Sequence, residues 1–210
     1  MRPFKTILAN LLSMAGLLAL GLGGCSTPAP VLTPDPSGTG HTEIANPQAQ
    51  QLRISVRSVV TTGFGSIDRE QFGVDLSAYF TAFYIEIQNG LAQGVFVDAS
   101  KIFVQTAGQT PLRALNDSES IEYYRRGDQP QPVVTIIPKL RKLEKQEISK
   151  IKELHFESST FSPGDQGHGV VYFKKIQKSQ CQEVLLSMTG IQVNGEEIPR
   201  EFQFRFTCGG

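Results

Sequence analysis

From Gln51 onward the chain alternates. Leu52, Ile54, Val56 and Val60 share one parity, and Arg53, Ser55 and Arg57 lie between them. A period of two predicts a strand with one buried and one wet face. Phe83, Ile85 and Ile87 repeat the pattern against Tyr84, Glu86 and Gln88, and the run stops at Asn89-Gly90. Shorter extended stretches are predicted at residues 95–97, 101–105, 111–115, 133–137 and 170–173. The last is entered through the loop Ser162-Pro163-Gly164-Asp165-Gln166-Gly167. Residues 184–193 and 201–207 are predicted to close the chain as a hairpin around Asn194-Gly195, a dipeptide that suits a two-residue turn. Seven or eight short strands divided by turn signals predict a mainly β fold, an antiparallel β-sandwich.

Two segments break the β pattern. Residues 118–126 begin with a capping-type Ser118 and predict a short helix or turn. Residues 139–154 predict a longer helix, with Pro138 at its start, where a missing N–H is harmless. Leu140, Leu143, Ile148, Ile151 and Leu154 fall within roughly 140° of its circumference at 100° per residue. Its charged residues are mostly basic: Lys139, Arg141, Lys142, Lys145, Lys150 and Lys152 against Glu144, Glu147 and Glu153. Such a helix either covers an open end of the sandwich with its charges in water, or lies on an anionic membrane face. The first is preferred, because an undocked helix with five apolar residues is costly.

Upstream of the strands, residues 26–48 carry Pro28, Pro30, Pro34, Pro36 and Pro47 with Gly38 and Gly40, and few large apolar residues. They predict a tether reaching at most about 70 Å. His41 within it is read as solvated. Before the tether come Arg2 and Lys5, then an apolar run over residues 7–22 interrupted by Asn10 and Ser13, then Gly23, Gly24 and Cys25. Positive, apolar, small is the order of a secretory signal peptide. The run is shorter than the roughly 20 residues of a spanning helix. The domains expected are therefore a signal peptide over 1–24, a tether over 25–48 and a β-sandwich over 49–210.

Leu22-Gly23-Gly24-Cys25 resembles the lipobox of bacterial lipoproteins. The resemblance implies cleavage before Cys25, attachment of lipid to its thiol, and a membrane-anchored protein of the cell envelope. Two or more acyl chains would hold stably where one holds marginally. By the sorting rule of double-membraned bacteria, Ser26 in place of an Asp points to the outer membrane, facing the periplasm. Loss of Arg2 and Lys5 leaves 18 basic against 20 acidic residues, so no global basic field would gather nucleic acid. Cys181 and Cys208 remain, an even pair that reads as a disulfide in an exported protein. A two-residue turn at Asn194-Gly195 pairs positions adding to 389, which sets Cys181 opposite Cys208. Matching Phe202, Phe204 and Phe206 to Val184, Leu186 and Met188 on one core face demands an even sum instead. A three-residue loop or one bulge would supply the even sum, and a bulge nearer the open end would satisfy both constraints.

A second resemblance rests on Phe83-Tyr84-Ile85-Glu86-Ile87-Gln88-Asn89, on Val95 to Asp98, and on Phe161-Ser162-Pro163-Gly164 before Gly169-Val170-Val171-Tyr172-Phe173. These look like the immunoglobulin-like domains of exported bacterial lipoproteins of unknown function. That implies an immunoglobulin-like sandwich with an added helix, and no catalytic residues. The chain lacks any Trp, so the usual core pin of immunoglobulin domains is missing.

Candidate chemistry is sparse. His155, His168, Asp165, Glu157 and Asp128 lack the short ligand spacings of compact zinc sites, and no nucleophile motif such as G-x-S-x-G occurs. No cofactor is expected. Tyr123-Tyr124-Arg125-Arg126 is the candidate partner surface, since Tyr and Arg dominate interface hot spots. The reading is a non-enzymatic envelope module that binds another envelope protein or supports an assembly. The alternative is a carrier of a small ligand or metal between helix and sandwich.

Overall fold

The computed structural model describes residues 31–34, 41–45, 51–60, 67–126, 138–177 and 181–209. The signal-peptide segment, Cys25, the predicted strand at 133–137 and Asp128 lie outside the described residues. The strands, all paired antiparallel, are β1 (Val31–Pro34), β2 (His41–Ala45), β3 (Gln51–Val59), β4 (Thr81–Asn89), β5 (Val95–Val97), β6 (Ile102–Thr106), β7 (Leu112–Arg113), β8 (Ser159–Phe161), β9 (Gln166–Phe173), β10 (Glu183–Met188), β11 (Ile191–Val193), β12 (Glu196–Glu197) and β13 (Phe202–Gly209). The helices are α1 (Ile67–Phe72), α2 (Asp117–Arg126) and α3 (Pro138–Leu154). The fold is mainly β, as the alternation predicts. The strands divide into three sheets, ordered β1-β13-β10-β6-β7, β2-β3-β4-β9 and β12-β11-β5-β8.

Period-two burial explains the main layers. Leu52, Ile54 and Val56 of β3 and Phe83, Ile85 and Ile87 of β4 meet Val184, Leu186, Phe204 and Phe206 of the facing sheet in one core. The rings of Phe83 and Phe206 come within 4.9 Å across it. The opposite face of β4 and β9 is buried too. Ala82, Val170 and Tyr172 pack against Phe72, Leu76, Phe80, Leu115 and Ile151 beneath the helices. A strand covered on both faces reads as a continuous apolar run, which is why Val170 to Phe173 does not alternate.

The N-terminal segment departs from a tether. β1 pairs with β13, with Leu32 opposite Cys208, and β2 pairs with β3, with His41 opposite Ser55. Leu32 is 4% exposed, and its carbonyl accepts from the Ser58 hydroxyl. These strands close two sheet edges through main-chain hydrogen bonds, which need little apolar sequence. One consequence is that only residues 26–30 separate Cys25 from β1, a reach of about 20 Å at most.

The C-terminal hairpin resolves the conflict between the two registers. At its tip Val193 faces Glu196, adding to 389, as the Asn194-Gly195 turn demands. At its base Val184 faces Phe206, adding to 390, so the phenylalanines stay in the core. The predicted strand 184–193 breaks at Gly190, whose φ is 69°, and β11 and β12 leave for another sheet. The shift of one residue is absorbed there and around Pro199, where a ladder donor is missing. Cys181 and Cys208 are joined in a disulfide with Cα atoms 5.8 Å apart.

Candidate functional site

The residues proposed as a partner surface lie on α2. Its N-terminus is capped by Asn116 rather than Ser118. The Asn116 side chain accepts from the Glu119 N–H at 2.9 Å, and the Glu119 carboxylate accepts from the Asn116 N–H at 2.9 Å. This reciprocal pair is a capping box. It fixes which face of α2 meets the fold, and Tyr123 and Tyr124 are on that face. The Tyr123 hydroxyl accepts from the Lys175 N–H at 3.0 Å, and its ring lies 5.8 Å from that of Phe80. Tyr124 donates to Glu147 of α3 at 2.6 Å and meets Tyr79 edge-on at 4.7 Å. Burial, and then the Glu147 carboxylate, push the Tyr124 hydroxyl far above its ordinary range. Both tyrosines are thus half-buried in contacts between elements. Arg125 and Arg126 stay exposed, paired with Glu144 at 3.6 Å and Glu122 at 2.7 Å.

Glu147 is the residue that sequence reasoning misplaced. The helix pattern predicts a charge facing water, yet Glu147 is 7% exposed. Helical spacing carried the signal, because Glu147 precedes Ile151 by four and Leu154 by seven and so shares their stripe. Of the predicted apolar stripe, Ile151 is 0% exposed, Ile148 and Leu154 are half-buried, and Leu143 is 45% exposed. The C-terminal half of α3 docks on the sheet, and the exposed Leu143 lies in its N-terminal half.

Where α3 ends, the chain drops onto β9. Phe156 donates its N–H to the Val170 carbonyl at 2.9 Å. The approach requires Gly169, since a Cβ there would stand 2.8 Å from Phe156 Cα. Gly167 likewise makes room for the Phe161 ring. The result is a shallow groove of about 410 Å³, lined in part by Lys152, His155, Glu157, Ser159 and His168. Three of the candidate ligands, His155, Glu157 and His168, therefore share one groove. Among the described residues no three His, Cys, Asp or Glu form a cluster able to hold a metal. Asp165 is occupied in its own turn, where Oδ2 accepts from the Ser162 N–H at 2.7 Å. His168 packs on Tyr84 at 5.7 Å.

His155 is more constrained. Its Nε2 lies 3.0 Å from the Leu115 carbonyl. A carbonyl can only accept, so Nε2 is the donor of this bond. The ring stacks on Tyr172 at 5.7 Å. Among the described residues His155 Nδ1 and Asp117 Oδ1 are buried without a hydrogen-bond partner. The groove is thus lined by exposed charged and polar side chains, with His155 Nδ1 buried, and it lacks a nucleophile poised beside a base.

The other end of β4 is pinned by Asn89. Its amide donates to Phe161 O at 2.9 Å and Gln93 O at 2.8 Å, and its Oδ1 accepts from Leu91 N at 3.0 Å. One of these bonds ties β4 to β8 at Phe161, and the other two hold the turn that follows β4. The Pro163-Gly164 turn supports the same corner. Gly164 has φ 84°, and Asp165 donates its N–H to Ser162 O at 3.0 Å, as in a type II turn. Asn89 and the Pro163-Gly164 turn, two of the features that carry the immunoglobulin-like resemblance, therefore lock one corner.

No protein-family model matches the chain, and no curated protein or solved structure matches it either.

Proposed function

We propose that the chain is an exported, lipid-anchored module of a bacterial cell envelope, held by lipid on Cys25 and acting by binding another envelope protein or supporting an assembly. The observation that carries this reading is the order Arg2 and Lys5, apolar residues 7–22, and Leu22-Gly23-Gly24-Cys25, all in register. The Cys181–Cys208 bond supports it, since disulfides persist in oxidising compartments. Ser26 favours the outer membrane, facing the periplasm. The immunoglobulin-like reading is supported by the adjacency of β6, β10 and β13, which is the order of a C-F-G sheet. Binding is favoured over catalysis because His155, Tyr124 and Glu147 are engaged in packing contacts.

The test is metabolic labelling with a fatty acid. The wild type should carry label and sediment with membranes, and Cys25→Ala should lose both. An unlabelled, soluble wild type overturns the reading. A second reading, a carrier of a small polar ligand, is favoured by the groove that gathers Lys152, His155, Glu157, Ser159 and His168. Thermal shift against a panel of small polar compounds tests it, with His155→Phe abolishing any genuine shift.

A further inference from the structure

The strands converge on two poles, and one pole carries the chain's exit toward Cys25. Val31 opens β1 opposite Gly209. Ser58, near the end of β3, hydrogen-bonds the Leu32 carbonyl. Val59 pairs with Ala82, and Thr81 at the start of β4 pairs with Phe173 at the end of β9. The first residue of β1, the end of β3, the start of β4 and the ends of β9 and β13 therefore share one pole. The Asn194-Gly195 turn, reached through β11 and β12, lies at the other.

The N-terminal half of α3 is also at the first pole. His155 bridges Val170, while Tyr172 donates its hydroxyl proton to the Ile151 carbonyl at 3.1 Å. Going up β9 is thus going down α3, so α3 runs antiparallel to β9 and its earlier turns extend past Phe173. α2 lies antiparallel to α3, with Lys152 beside Asp117 at 3.6 Å and Glu144 beside Arg125 at 3.6 Å. The C-terminal Arg125 and Arg126 consequently stand next to the early turns of α3, where Lys142 and Lys145 are exposed. Among the described residues Leu143 is the only exposed large apolar side chain, and it lies on the same turn of α3 as those two lysines.

We propose that this pole lies against the anionic surface of the bilayer that holds the lipid on Cys25, with Leu143 at headgroup depth and Lys142 and Lys145 facing lipid phosphates. The inference rests on lipidation at Cys25. Two facts select a lipid surface as the occupant. Residues 26–30 reach about 20 Å at most, so the pole cannot be held far from the membrane. An apolar side chain flanked by basic ones is the pattern that partitions into an anionic interface.

The chain contains no tryptophan, so Leu143→Trp is a sole fluorescent reporter. The full lipidated chain is reconstituted into phosphatidylcholine vesicles with and without phosphatidylglycerol, and with brominated acyl chains as quencher. In anionic vesicles the emission of Leu143→Trp should move to shorter wavelength and be quenched by bromine. Glu196→Trp, exposed at the opposite pole, should show neither effect. Lys142→Gln with Lys145→Gln should weaken the approach about fivefold for each charge removed, with the protein still floating with the vesicles. Flotation with water-like emission from Leu143→Trp overturns the pole contact and leaves the anchor standing. Equal quenching at Glu196→Trp overturns the orientation, and equal quenching without phosphatidylglycerol overturns the role of charge. A chain that does not float overturns lipidation itself.

Discussion

Replacing Asn89 with Ala isolates the corner that joins β4 to β8. The substitution leaves the Leu91 N–H buried without its partner and takes from the Phe161 carbonyl the bond it receives from Asn89, both in enclosed surroundings. Each such group costs about 1–3 kcal/mol. The Gln93 carbonyl is nearer the surface and can take water, so its loss adds little. The expected destabilisation is about 3–5 kcal/mol, a large share of the roughly 5–15 kcal/mol that holds a domain together. Asn89→Asp sharpens the test. It keeps the acceptor for Leu91 but turns an oxygen toward two carbonyls. At pH 7 it should be at least as harmful as Ala. Burial and those carbonyls would raise the folded pKa of the new carboxyl, so the folded state would bind its proton more tightly. Stability is then lost as pH rises through that pKa and regained as pH falls toward the unfolded value near 4. Urea unfolding of the oxidised lipid-free chain, followed by far-ultraviolet circular dichroism, gives both numbers at constant m. A loss below about 1 kcal/mol for Asn89→Ala would refute the claim that the corner is locked by this side chain.

Three further outcomes follow from the packing. Ile151→Asp should cost about 3–5 kcal/mol, because a fully buried apolar contact beneath α3 is replaced by a carboxylate without water; an unchanged urea midpoint would mean that α3 does not dock. Alkylation of the unreduced protein should modify neither Cys181 nor Cys208, and the bond should be worth about 3.5 kcal/mol for a sequence separation of 27 in the chain-entropy model. A chain beginning at residue 49 should unfold at lower urea than one beginning at residue 26, because it lacks β1, β2 and the buried Leu32; equal midpoints would return residues 26–48 to the status of a spacer.

Local sequence determined the elements whose physics is local. Period-two runs at Leu52–Ile54–Val56 and Phe83–Ile85–Ile87 are strands because one face of each had to leave water, and any partner sheet would satisfy them. Pro138 and the apolar spacing that follows determined α3 in the same way, and Asn194-Gly195 determined its own two-residue turn. Tertiary structure decided the rest. The strands β1 and β2 draw their stability from main-chain hydrogen bonds at sheet edges, which leave almost no mark on composition. Glu147 is buried because Tyr124, on another helix, arrives to donate a hydrogen bond, and no property of Glu147 alone predicts that visitor. The inward turn of Tyr123 and Tyr124 needed the same long-range partners. Between Cys181 and Cys208, the turn required one register and the phenylalanines required the other. Only the break at Gly190, which sends β11 and β12 into a separate sheet, allowed both. Sequence sets what each segment must bury or pair, whereas its partner comes from distant parts of the chain and is chosen only when the whole core closes.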